Sequence, residues 1–161
     1  MVERGHRIYA TQTVRVSKTI EAPLRYVYEW ATDYRSDDWR LSSRRPRPRF
    51  RVLKISPHRV MRIRLTPTGG PDPQVAVDIV RLAPPSAWHT DQMDEDDRET
   101  IDYRLVRLGP KRTRLDLLVT ERWLIPDYPT RTQVAQRVRN AWNRYGPQIE
   151  ERFCKGLPAK G

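Results

Sequence analysis

The chain has 161 residues, 37% hydrophobic and 32% charged, which suits one domain with a real core and excludes an intrinsically disordered chain. Its single cysteine, Cys154, excludes an internal disulfide framework, and with only three scattered histidines structural zinc is not expected. The formal net charge is +11, nearly all of it arginine, which either favours anionic partners or reflects arginine-rich solvated faces. No apolar run approaches the ~18 residues of a membrane span. The opening MVERGHRIYA lacks the apolar core of a signal peptide, so a cytoplasmic protein is expected.

In chain order, residues 1–10 read as a loose arm. Residues 13–20 (TVRVSKTI) alternate with Val14, Val16 and Ile20 on one face, the pattern of a strand. Lys18 shares that face, so it either projects past the sheet end or brings a cation near the interior. Ala22-Pro23 ends the strand and starts a short helix with Leu24, Val27, Tyr28 and Ala31 on one side. A second helical turn over 34–39, with Trp39 beneath it, is followed by the basic, proline-broken stretch LSSRRPRP.

Six more strands follow, at 49–55, 59–66, 74–82, 86–93, 99–108 and 112–124. Short connections force antiparallel pairing, because parallel strands need long crossovers. Residues 128–153 carry Val134, Val138, Ala141, Trp142, Tyr145, Ile149 and Phe153 at helical spacing, and Thr130 with Gln133 forms a capping box. Arg131, Arg137, Arg139 and Arg144 mark its wet face, and Gly146-Pro147 is expected to kink or break it. The result is an α+β chain of one domain, 1–161, whose closing helix is the only element long enough to cover the sheet.

The stretch VSKTIEAPLRYVYEWATDY (16–34) resembles the opening of the START-like, or Bet v 1-like, superfamily that includes the polyketide cyclase/dehydrase group. Strand, Ile-x-Ala-Pro turn, helix and later Asp match, as does the element order, over about 11–154. The resemblance implies a helix-grip fold: a curved seven-stranded antiparallel sheet around the long C-terminal helix, two short helices after the first strand, and a hydrophobic cavity between. It implies a hydrophobic small molecule or lipid as ligand and no cofactor. No catalytic motif of the family carries over residue by residue, and the turn between the second and third strands lacks the glycines of the Bet v 1 allergens.

Taking apolar strand positions as inward, the expected cavity lining is Val16, Met61, Ile63, Val77 and Ile79, then Ile101, Tyr103, Leu117 and Val119, with Val138, Trp142 and Tyr145 from the helix; the alternative is that these side chains meet and fill the interior. Glu121, between Val119 and Trp123, shares the inward parity and either orients a ligand or moves a proton, unless a twist exposes it beside an arginine. His89 and Asp91 form a candidate acid/base pair if they face inward; if Trp88 and Thr90 do, the pair lies outside. His6 and His58, in an arm and a turn, are not metal ligands, and the acidic tip around 91–99 lacks the glycine and spacing of a calcium loop. Arg44, Arg45, Arg47, Arg49 and Arg51 form an anion-contact candidate, for an anionic membrane surface beside the pocket. No aromatic stacking series accompanies them, which argues against nucleic acid. Three readings follow: a cavity binder with Tyr103, Trp142 and Glu121 orienting the ligand, an aromatase/cyclase-like enzyme in the same cavity, and an arginine-based interaction module.

Overall fold

The computed structural model describes residues 9–41, 45–94, 97–124 and 128–160; His6, Arg44, the side chain of Trp39 and the middle of the acidic tip lie outside the described residues. Strand β1 (Tyr9–Ile20) is followed by helix α1 (Leu24–Thr32) and a single 3-10 turn at Asp38–Leu41. Then come β2 (Arg49–Ser56), β3 (Arg59–Thr66), β4 (Gln74–Ala83), β5 (Ala87–Met93), β6 (Arg98–Gly109), β7 (Arg112–Leu124) and helix α2 (Arg131–Cys154). The strands form one antiparallel sheet in the order β1-β7-β6-β5-β4-β3-β2, a meander to whose last strand β1 returns. The second short helix begins later than the sequence pattern places it, at Asp38 rather than 34.

Helix α2 is started as its sequence dictates. The Thr130 hydroxyl accepts from the Gln133 backbone N–H at 3.2 Å, and the Gln133 side chain accepts from the Thr130 N–H at 2.8 Å. The helix runs alongside β1 in the same direction. Gln12 Nε2 donates to the Pro129 carbonyl, Lys18 Nζ to Asn143 Oδ1, and the Glu21 backbone N–H to Glu150 Oε1, so the ties advance together along both elements.

Beneath the helix, Val14, Val16, Ile20, Leu115, Leu117 and Val119 meet Val134, Val138, Trp142 and Ile149. The fully buried ones among them contribute about 1.5–3 kcal/mol each. Lys18 therefore neither overshoots the sheet nor buries its charge: its stem passes over Gly146, where an added Cβ would sit 3.3 Å from Lys18 Cε.

The expected break at Gly146-Pro147 does not occur, for α2 continues through Pro147 to Cys154. Residues beyond the proline are held from outside: Ile149 is fully buried, and the Phe153 ring meets Tyr26 edge-on at 5.3 Å. The chain then turns back across α1. Tyr26 Oη donates to the Leu157 carbonyl, and Lys160 Nζ reaches both the Asp33 carbonyl and Asp38 Oδ1. No helix among the described residues is long and apolar enough to cross a membrane.

Candidate ligand-binding site

Because α2 lies along β1 at one edge of the sheet, it leaves the inner face of β2 to β5 uncovered, and only α1, through Tyr28 against Trp88, and the turn at Asp38–Leu41 close part of it. The space between these strands and α2 is a cavity of about 890 Å³, the size of small-molecule sites in general. Its exposed lining residues, among them Gln74, Gln133, Gln136, Asn140 and Arg144, mark where it opens.

Two rows of side chains give the cavity its chemistry. The first is aromatic. Trp88 and Tyr103 are cross-strand partners on β5 and β6 and stack at 4.5 Å with 9° between planes. Trp142 from α2 meets Tyr103 edge-on at 6.3 Å, and Tyr145 meets Trp142 at 5.5 Å. Such pairs add about 0.5–1.5 kcal/mol each beyond area burial. Burial pushes the Tyr103 phenol well above its ordinary pKa, so it stays a neutral hydrogen-bonding group.

The second row is polar and crosses five strands in register: Arg62, Asp78, Gln92, Glu99 and Glu121 are successive partners from β3 to β7. Arg62 donates through Nε to Asp78 Oδ2 at 2.6 Å, and its guanidinium lies over the Phe50 and Tyr34 rings at 4.8 and 5.3 Å. Burial works against the Arg62 charge, but Asp78 and Tyr34 outweigh it and its pKa lies above the ordinary arginine value. With its amide oriented to satisfy both neighbours, Gln92 donates to Asp78 Oδ1 at 3.2 Å and accepts from Arg64 at 3.1 Å.

At the other end, Glu121 is only 1% exposed. Trp123 Nε1 donates to its Oε2 at 2.6 Å, and Arg137 of α2 pairs with its Oε1. The same guanidinium donates to Glu99 Oε2 at 2.6 Å. One arginine thus holds two carboxylates from adjacent strands, an arrangement that fixes polar ligand atoms or relays a proton. Among the described residues no group of three or more His, Cys, Asp or Glu is placed to hold a metal.

No protein-family model and no curated protein sequence matches this chain. Solved structures do. The Zhui aromatase/cyclase from Streptomyces sp. R1128 superposes with a TM-score of 0.63 at 14% identity, covering 89% of this chain and 96% of that one. The allergen Ara h 8.0201 gives 0.65 at 8% identity, over 87% of this chain and 98% of its own. A START superfamily protein from Mycobacterium smegmatis gives 0.56 at 13%, over 87% and 95%. This is the START-like, Bet v 1-like helix-grip fold.

Within the START-like frame, Ile101, Tyr103, Glu121, Val138, Trp142 and Tyr145 border the cavity. Val16, Leu117 and Val119 point the same way but are buried in the core that α2 covers. The sequence assignment is corrected on β3 and β4. Met61, Ile63, Val77 and Ile79 lie on the outer face, and their alternates Arg62, Arg64, Ala76 and Asp78 face inward. Apolar alternation marks the inner face only where that face packs in a core, and on β3 and β4 the inner face is a polar cavity wall.

His89 and Asp91 are also on the outer face. His89 Nδ1 meets Asp102 Oδ1 at 2.7 Å, and Asp91 is held by both Nε and Nη2 of Arg98, which lowers its pKa. Trp88, Thr90 and Gln92 are the inward residues of β5, so the proposed acid/base pair is absent from the cavity. The arginine stretch does not converge on one spot: Arg45 and Arg47 are exposed before β2, and Arg49 and Arg51 lie on the outer face opposite Leu65 and Ile63.

The sequence reading missed Arg62, Asp78, Gln92, Glu99 and Arg137. The available signal was an opposite-charge pair, Arg62 and Asp78, at the alternate positions of neighbouring strands. Lys160, which also borders the cavity, lies beyond the expected core and gave no signal.

Proposed function

We propose that this chain binds one amphipathic small molecule or lipid in the cavity. Its apolar part lies against Trp88, Tyr103 and Trp142, and its polar end meets the row from Arg62 to Glu121. The observation that carries this reading is an aromatic wall directly beside a charged row inside one cavity of about 890 Å³. Burying ~200 Å² of ligand apolar surface contributes ~5 kcal/mol before the cost of association. The row then supplies orientation, because a polar group placed there finds preformed donors and acceptors. The fold shared with Ara h 8.0201 and with the START superfamily protein from Mycobacterium smegmatis supports the reading.

Native mass spectrometry of freshly purified protein tests it. The expected spectrum shows a bound small molecule, or one site per chain for added 1-anilinonaphthalene-8-sulfonate, and Ala141→Trp, which places an indole in the cavity from α2, weakens either signal. No occupancy in the wild type, or occupancy unchanged in a folded Ala141→Trp variant, contradicts it.

A second reading, an acid/base enzyme acting on a polyketone in the same cavity, is favoured by Glu99 and Glu121 sharing Arg137 and by the likeness to an aromatase/cyclase. Glu121→Gln separates the two. Under the binding reading it weakens ligand orientation, and under the enzymatic reading it abolishes turnover of a polyketone while binding persists.

A further inference from the structure

The outer face of the sheet divides into two unlike halves. Over β6, β7 and β1 it is mostly polar, with Asp102, Arg104, Arg114, Asp116, Arg15 and Ser17 around the aliphatics Val106 and Leu118, as a solvated sheet face should be. Over β2 to β5 it is apolar in three registered rows. Leu53, Met61 and Ile79 form one row, Ile63, Val77 and Met93 the next, and Leu65 with Val75 the last.

Leu53, Val75 and Met93 at the ends of these rows are 53%, 43% and 41% exposed, the members between them are partly exposed, and Ile55, at the register shift that ends β2, is 54% exposed. A contiguous apolar patch of this kind marks an interaction surface, whereas scattered exposed aliphatics do not.

Arginines border the patch on two sides. Arg49 and Arg51 continue its rows on the edge strand β2, and Arg59 with its partner Arg81 closes it at the opposite end of β3 and β4. Arg49, Arg51 and Arg59 make no ion pair among the described residues. The carboxylate nearest on the same face, Asp91, is occupied by Arg98. Asp72 sits in the 67–73 loop beyond Leu65 and Val75 and offsets only one charge.

We propose that this outer face docks on an anionic lipid surface. An apolar patch enters the headgroup boundary while its rim of arginines meets lipid phosphates and carboxylates, and both attractions add. A second copy of the chain is the poorer occupant, because two-fold pairing would bring arginine rims toward each other with no free carboxylate between them. The inference does not depend on what the cavity holds.

The test is flotation with vesicles of phosphatidylcholine alone and of phosphatidylcholine with phosphatidylserine. The expected result is binding to the anionic vesicles that falls with added salt. Leu53→Ser/Ile55→Ser lowers the partition constant by about 30-fold, or about five-fold for each half-exposed side chain. Arg49→Gln/Arg51→Gln lowers it by about the same factor, roughly five-fold per arginine. Both pairs of sites are exposed, so the variants keep the wild-type circular dichroism. Absence of binding, or binding indifferent to both variants, overturns the proposal. A wild-type dimer in sedimentation that Leu53→Ser/Ile55→Ser converts to monomer also overturns it, by assigning the face to a second copy.

Discussion

Asp78→Ala is the sharpest probe of how the polar row is built. Asp78 is 2% exposed and accepts from Arg62 Nε at 2.6 Å and Nη2 at 2.5 Å. Its removal leaves a guanidinium on the cavity wall without a counter-charge. Stripping one partner from a fully buried pair costs about 3–5 kcal/mol. Arg62 keeps part of its exposure and its Tyr34 and Phe50 ring contacts, so the expected cost here is about 2–3 kcal/mol.

For a domain of this length that lowers Tm by roughly 5–10 °C, read by calorimetry or thermal circular dichroism. Replacing both partners, Arg62→Leu/Asp78→Leu, should recover most of the loss, because the penalty comes from the orphaned charge and not from missing attraction. A change below about 1 °C for Asp78→Ala, or a double variant worse than the single one, refutes the reasoning.

Two further outcomes are expected. Thr130→Ala removes half of the capping box and should cost about 1 kcal/mol in chemical denaturation, and an unchanged midpoint would mean that tertiary packing alone sets the start of α2. Burial raises the pKa of Tyr28, Tyr34 and Tyr103 above 10.0. Their stabilisation is therefore complete below the unfolded tyrosine value and is lost as pH climbs past it. In an alkaline titration, tyrosinate absorbance should stop short of the total for seven tyrosines until the protein unfolds, and a full rise in the folded state contradicts that.

The fold was legible because its signals are local and redundant. Strand alternation, short turns and the Thr130–Gln133 box each act within a few residues and agree with one another. Sidedness was less legible, because a period of two defines two faces without saying which one is inside. For β1, β6 and β7 the apolar face is the inner one and the sequence reading holds. On β3 and β4 it inverts: MRIRLT and VAVDIV place aliphatics outside and Arg62, Arg64 and Asp78 inside.

Glu121 was readable because both sequence neighbours at inward parity are apolar. Its partner Arg137 was not, since a half-exposed arginine on a helix reads as solvated until the strand opposite it is known. Lys160 is held by Asp38 across 122 positions of chain, a contact that no local pattern encodes.

The space between α2 and β2 to β5 is read here as a binding cavity. The decisive measurement is a titration with 1-anilinonaphthalene-8-sulfonate followed by the dye's own fluorescence, with Ala141→Trp and Leu53→Ser/Ile55→Ser in parallel. One site per chain is expected, weakened by Ala141→Trp and indifferent to the outer-face pair. Binding that survives Ala141→Trp and disappears with Leu53→Ser/Ile55→Ser would place the site on the outer face and contradict that reading.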